Sequence, residues 1–272
     1  MGSRMFTFAA TVALAGTVSA ASAQAPINTE PMTKNQIIVA CSPPPVLSRE
    51  PLDAPRIMGS QDVITRSSFG TPELLVINVG TNHGMQVNQQ YFVRRLFRTA
   101  ETHTDKLPHM VHTAGWVHIV AVNEAMAIAR PDHVCSELRT GDFLEPFEAP
   151  ALPEGDILTP FTRGEQDFKN YSRVTSGPYD RLAAGRGEFI AIDHGSDRDI
   201  TVGSHFAIWR DLQVTGMPLT AIGEATVVSV GPQRAMLIVT RARDAVFKDD
   251  IIVPRVEEGT ATVVEPAPAG TR

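Results

Sequence analysis

Leu74-Leu75-Val76-Ile77-Asn78-Val79-Gly80 and Phe189-Ile190-Ala191-Ile192-Asp193-His194-Gly195 align without a gap, and this pairing decides how the fold is read. Val87 and Val202 stand at the same distance beyond their glycines, and Tyr91 and Phe206 follow at matching positions. Next come Phe92-Val93-Arg94-Arg95 and Ala207-Ile208-Trp209-Arg210. A polar connection intervenes, longer in the first copy. Both copies resume at a glycine with a β-branched run, Gly115-Trp116-Val117-His118-Ile119-Val120-Ala121-Val122 and Gly223-Glu224-Ala225-Thr226-Val227-Val228-Ser229-Val230. They close on Gly141-Asp142-Phe143-Leu144-Glu145-Pro146 and Asp249-Asp250-Ile251-Ile252-Val253-Pro254. Blocks in one order with matched glycines make chance a poor explanation. The chain carries an internal duplication.

Within each copy the apolar residues alternate. Val117, Ile119 and Ala121 face one way, and Trp116, His118 and Val120 the other. Period two over short runs bounded by Gly, Asn and Asp marks strands. The expected class is all-β, with two tandem small modules, each a barrel or a curled sheet. Closing so short a meander removes its exposed edges. Gly80 and Gly195 are expected at turns that need positive φ or a close backbone approach. Arg95 and Arg210 also match, and a surface salt bridge is their simplest reading.

The chain divides into a leader (1–23), a Pro-rich N-terminal arm (24–56), a first β-module (57–147), a linker (148–170), a second β-module (171–255) and a tail (256–272). Arg4, the apolar run from Phe6 to Gly16 and the small residues Ala21-Ser22-Ala23 have the layout of a secretory signal peptide. The run is too short to span a bilayer, which needs about 20 apolar residues. The arm holds Pro43-Pro44-Pro45 and one apolar stretch, Ile37-Ile38-Val39-Ala40. That stretch is expected to add as a strand to a neighbouring module's sheet, a route to a homo-oligomer. The linker should be extended, and the Glu-, Ala- and Pro-rich tail disordered.

Two cysteines, Cys41 and Cys135, invite one disulfide in an oxidising compartment. Val39-Ala40-Cys41 also has the look of a lipoprotein signal end, although Lys34, Asn35 and Gln36 interrupt any apolar run before it. A net charge of -6 argues against nucleic acid, since an acidic surface releases no counterions on binding it.

Catalytic signatures are missing. The sequence holds no Gly-x-Ser-x-Gly, His-Glu-x-x-His, Walker A, Ser-x-x-Lys or Cys-x-x-Cys pattern. Gly185-Arg186-Gly187 precedes a predicted strand and lacks the third glycine of a dinucleotide cradle. His103, His109, His112, His118 and His133 crowd the first module without a tight metal spacing, and solvated loop histidines are the preferred reading. Asp193, Asp197 and Asp199 are read as turn residues rather than calcium ligands. Ser204 and His205 are neighbours on a strand and point to opposite faces, so they do not build a triad. No cofactor and no metal are expected. Tyr91, Trp116, Trp209, Tyr171 and Tyr179 could stack on sugar or pack a core. With Arg95 and Arg210, the residues Tyr91, Trp116 and Trp209 form the candidate binding surface.

The repeated pattern runs from an apolar strand and its glycine through (Tyr/Phe)-x-(Val/Ile)-x-Arg to the closing (Gly/Asp)-Asp-apolar-apolar-x-Pro. Over residues 74–147 and 188–255 it resembles the small C-terminal β-module of flagellar assembly protein T. It also resembles modules that accompany LysM domains in bacterial envelope proteins. The resemblance implies a small β-module in an envelope setting and assigns no functional residue. The expectation is an exported, non-enzymatic scaffold or binding protein of the periplasm or cell surface. Its partner would be an envelope protein assembly. A peptidoglycan- or polysaccharide-binding module is the alternative.

Overall fold

The computed structural model describes residues 32–45, 47–48, 51–62, 64–97, 109–150, 152, 155–177 and 183–256. The leader, His103, Tyr179 and residues 257–272 of the tail lie outside them. Among the described residues one α-helix, α1 (Lys34–Ala40), precedes eighteen strands. The first module holds β1 (Leu47–Ser48), β2 (Ile57–Ser60), β3 (Ser68–Phe69), β4 (Leu75–Ile77), β5 (Gln90–Phe97), β6 (His109–Val122), β7 (Ala127–Val134), β8 (Leu138–Arg139) and β9 (Phe143–Pro146). The second holds β10 (Glu165–Gln166), β11 (Ser172–Ser176), β12 (Ala183–Ala184), β13 (Phe189–Ile192), β14 (His205–Arg210), β15 (Thr220–Val230), β16 (Ala235–Ala242), β17 (Val246–Phe247) and β18 (Ile251–Val256). The chain is all-β, as its alternation predicts. No described helix is long and apolar enough to cross a membrane.

The second module closes on itself. Its order β11-β13-β16-β15-β14-β18 returns to β11, giving a six-stranded barrel with β10 added outside β18. The first module repeats the order as β2-β4-β7-β6-β5-β9 and stays a curled half-barrel. Its seam is reduced to one bridge, Arg56 to Phe143, with Ile57 N donating to Asp142 O at 3.0 Å and Leu144 N to Pro55 O at 2.8 Å. The inward positions form one core per module. Ile57, Leu75, Ile77, Val93, Val117 and Ile119 fill the first, and Val174, Ile190, Ile192, Ile208, Val227 and Leu237 the second.

The duplication extends to individual hydrogen bonds. Asn78 Oδ1 accepts from Arg56 N at 2.7 Å, and Asp193 Oδ1 from Arg173 N at 2.8 Å. Gly80 and Gly195 serve close approach rather than positive φ, with φ at -134° and -141°. A Cβ on Gly80 would lie 2.1 Å from Asn123 O, and one on Gly195 2.0 Å from Gly231 O. The turn after β6 or β15 is pressed against the glycine and receives its neighbours' N–H groups, Thr81 to Asn123 and Ser196 to Gly231.

The apolar arm stretch is not a strand. Ile37-Ile38-Val39-Ala40 lies in α1, and the added strand is β1, which pairs with β6 of its own module. Local capping overrides β-branched propensity. Thr33 Oγ1 accepts from Gln36 N while Gln36 Oε1 accepts from Thr33 N, a complete capping box. That stretch therefore offers no strand to a neighbouring sheet. The linker is not simply extended either, since Ile157 is buried and β10 joins the second sheet. Val256, assigned to the tail, closes β18.

Gly80→Ala and Gly195→Ala should each destabilise by about 3 kcal/mol, the upper end of overpacking costs, because the clashing atom is a backbone carbonyl that cannot rotate away. Chemical-denaturation midpoints of the two variants check this, with Gly70→Ala, where a Cβ meets open space, as the neutral comparison.

Candidate functional site

α1 is a wedge between the two modules. Ile37, Ala40 and Cys41 pack with Phe92, Trp116, Phe147 and Cys135 of the first module. Ile38 and Val39 pack instead with Met110, Ile157, Ala191, Val228, Met236 and Ile238, most of them from the second barrel's outer face. That outer face is apolar because β13, β15 and β16 are covered on both sides. The disulfide Cys41–Cys135 pins the end of α1 to the exit of β7. Thr113 Oγ1 donates to Ser42 O at 2.8 Å, and Ser176 Oγ to Met110 Sδ at 3.1 Å across the junction.

Beside the wedge opens a cleft of about 560 Å3. The arm contributes Val39, Ser42, Pro44 and Pro45, the first module Phe92, Arg94 and Glu145, and the second Ser229. Arg94 is 8% exposed, with its guanidinium 4.0 Å above the Phe92 ring. Its Nε donates to Glu145 Oε2 at 3.2 Å and its Nη1 to Thr113 Oγ1. Burial lowers the Arg94 pKa from its ordinary value, and the Glu145 charge opposes that shift. Ser229 Oγ is buried without a hydrogen-bond partner among the described residues. The cleft therefore offers a cation, a carboxylate and proline faces. Such groups hold a ligand by hydrogen bonds, charge and apolar contact.

The five residues of the candidate binding surface are not brought to one face. Tyr91 is buried, its hydroxyl donates to Gln89 Oε1 at 2.7 Å, and burial raises its pKa. Trp116 is buried beneath α1 and stacked on His133 with ring centroids 4.7 Å apart. Trp209 is half-buried and donates to Gln166 Oε1 at 2.9 Å. Arg95 and Arg210 are clips inside the fold rather than surface salt bridges. Arg95 grips both oxygens of Asp142 at 2.6 Å, and Arg210 grips Asp250 at 2.8 and 2.7 Å. The carboxylates are 2% and 5% exposed, so these pairs differ from the weak ion pairs of open surface. Hydrogen-bond donation to Asp250 is the main reason the Arg210 pKa lies above its usual value.

The remaining polar candidates serve local structure. Asp193 caps Arg173 N, and Asp197 accepts from Gly195 N at 2.7 Å, which lowers its pKa. Asp199 ends its turn in the left-handed region at φ 55°. Asp197 and Asp199 line a polar cleft of about 470 Å3 at the mouth of the second barrel, with Asp167, Arg198, His205 and Arg255. His205 Nδ1 lies 3.0 Å from Thr226 Oγ1, and Ser204 pairs with Thr201. Among the described residues the histidines of the first module do not converge on one another. His118 bonds Asp132, and buried His112 lies 2.7 Å from Ser136 Oγ. Burial lowers the His133 pKa.

Sequence reasoning missed Arg94, Ser229 and the partners Asp142 and Asp250. The aspartates carried a signal, because both fall in the closing block that repeats. Arg94 carried none, since its counterpart is Trp209. The chain matches no protein-family model, and no curated protein matches it significantly.

Two outcomes are expected. Burial, helped by the charges of Arg95, Arg94 and Arg139, pushes the His112 pKa from 6.5 down to about 3. The unfolded chain regains the ordinary value, so it takes up a proton that the folded one refuses. Stability is then complete above about pH 6.5 and falls as pH drops toward about 3, by up to about 1.4 kcal/mol per pH unit. Denaturant melts between about pH 7 and about pH 4 should show a shallower decline for His112→Gln than for the wild type. Separately, replacing Cys41 and Cys135 together by Ser opens a 94-residue loop. It should cost up to about 4–5 kcal/mol by chain entropy and raise amide exchange in α1 more than in the barrel cores.

Proposed function

We propose that the chain is an exported, non-enzymatic cell-envelope protein that acts as a scaffold, holding a partner protein of an envelope assembly at the junction of its two modules. The observation that carries the reading is the cleft beside α1, where arm, first module and second module each supply a lining group and Arg94 and Glu145 bring charge to it. A two-module frame fastened by a wedge and a disulfide supports it, since a site shared by two bodies needs them held at fixed spacing. The leader-like N-terminus and the disulfide fit an oxidising compartment outside the cytoplasm. The acidic balance speaks against nucleic acid.

The polar cleft at the mouth of the second barrel favours a second reading, a peptidoglycan- or polysaccharide-binding module, because carboxylates, arginine and histidine gathered there suit a polyhydroxylated ligand.

Affinity capture from envelope extract, using the chain from Gln24 onward and its Arg94→Ala variant, separates the two. The scaffold reading expects a defined protein set bound by the wild type and depleted at least about tenfold by the variant, as for loss of a buried interface arginine. Saturable sedimentation of the wild type with purified peptidoglycan, unaffected by Arg94→Ala, would overturn it in favour of the polysaccharide reading.

A further inference from the structure

The disulfide that fastens α1 has a third donor beside it. His133 lies on β7 and Cys135 just beyond its end, two residues apart, so both project from the same outer face of the first module. Cys41 arrives from the C-cap of α1. Donor atoms of Cys41, His133 and Cys135 lie within 4.8 Å of one another, the group of this kind among the described residues. Stacking on Trp116 holds the His133 ring, and the Met32 side chain packs in the same cluster.

The second module throws this grouping into relief. Trp116 pairs with His133 across β6 and β7, as Glu224 pairs with Arg241 across β15 and β16. Cys135 N donates to Ala114 O at 2.9 Å, as Arg243 N donates to Ile222 O at 2.7 Å. At the two positions where the first module carries His and Cys, the second carries Arg241 and Arg243. The donor set is thus not a by-product of the repeated fold. It belongs to the module to which α1 is covalently fastened.

We propose that, once the disulfide is reduced, Cys41, His133 and Cys135 bind a thiophilic d10 cation, Zn(II) or Cu(I), which fastens α1 in place of the covalent bond. The reduction consumes two electrons and two protons and yields two thiols. A dithiol supplies both by becoming its disulfide, or a phosphine does so by taking the oxygen of one water to become its oxide and freeing that water's two protons. Ligation then releases both thiol protons to solvent and leaves two thiolates and a neutral imidazole on the ion. Thiolate and imidazole are the donors these ions prefer. Zinc lies about 2.3 Å from sulfur and about 2.0 Å from imidazole nitrogen, so donors already grouped this closely reach it by side-chain rotation. Three protein donors leave a tetrahedral zinc one open position. This inference does not rest on the scaffold reading.

The test uses the full chain reduced with a phosphine, freed of reductant without oxygen, and titrated with Zn(II) or Cu(I) against a chromophoric chelator. One equivalent of at least one ion is expected to bind the reduced protein and none the oxidised protein, and the two titrations show which ion is taken. His133→Ala should weaken binding by more than the roughly 10–100-fold that losing an outer-shell partner costs. Metal should raise the thermal midpoint of the reduced wild type and leave that of reduced His133→Ala unchanged. The oxidised His133→Ala protein, melted alongside, shows that the variant folds, and His133→Gln serves if it does not. Failure of the reduced wild type to bind one equivalent of either ion would overturn the proposal. So would His133→Ala and His133→Gln binding as tightly as the wild type.

Discussion

The two-sided burial of α1 is the constraint on which the rest of the structure depends. A seven-residue helix has too few internal hydrogen bonds to persist in water. It persists here because its capping box satisfies the first turn, and because different modules cover its opposite faces. The dependence is mutual. Without Ile38 and Val39 the outer face of β13, β15 and β16 would meet water along Val228, Met236 and Ile238. Each such aliphatic side chain gains about 1.5–3 kcal/mol from full burial. Methionines on both sides of the junction, Met110 and Met236, suit a contact between surfaces that did not arise as one core. The cleft exists only because the wedge sets the spacing.

The two modules share one backbone solution and diverge on their outer faces. Glycine approach, Asn or Asp at the β4 or β13 exit, and the Arg–Asp clip recur with nearly the same distances. Outside, each module is covered by the chain that precedes it. The first is covered through apolar contact and a covalent bond. The second is covered through apolar contact from Ile157 and Leu158 and through polar contacts, with Trp209 donating to Gln166 and Arg255 donating to Thr162 O and Arg163 O. Glu224 and Arg255 there are buried with a 3.3 Å contact, and Glu224 Oε2 and Arg255 Nε lack partners among the described residues. Charges removed from water repay their desolvation only when fully paired.

Much of the fold was legible because a duplication states each signal twice. Period two in residues 115–122 gave the strands, and repetition of Gly80 as Gly195 marked a backbone constraint, although close approach and positive φ look alike in one letter. The short-range pattern misled at α1, where four consecutive apolar residues resemble a strand and the deciding information sits in Thr33 and Gln36. For Tyr91 and Trp116 the sequence left sugar stacking and core packing both open, for a different reason. Alternation places Trp116 outward, and only the docking of a distant segment turns outward into buried. Arg94 and Ser229 were illegible, because their meaning comes from the meeting of two modules and no local spacing encodes it.

The covalent link also decides how the molecule carries tension. A pull applied between the N-terminal arm and the second module passes from Cys41 straight to Cys135, and from there through β8 and β9 into the connection. The 94-residue span between the cysteines is bypassed, which withholds roughly 310–340 Å of extended chain from any stretching load. Most of the first module thus hangs as an unloaded loop beside the force path. Under strain the molecule lengthens by opening the wedge, by peeling β8 and β9 and straightening the connection, or by unravelling the second barrel.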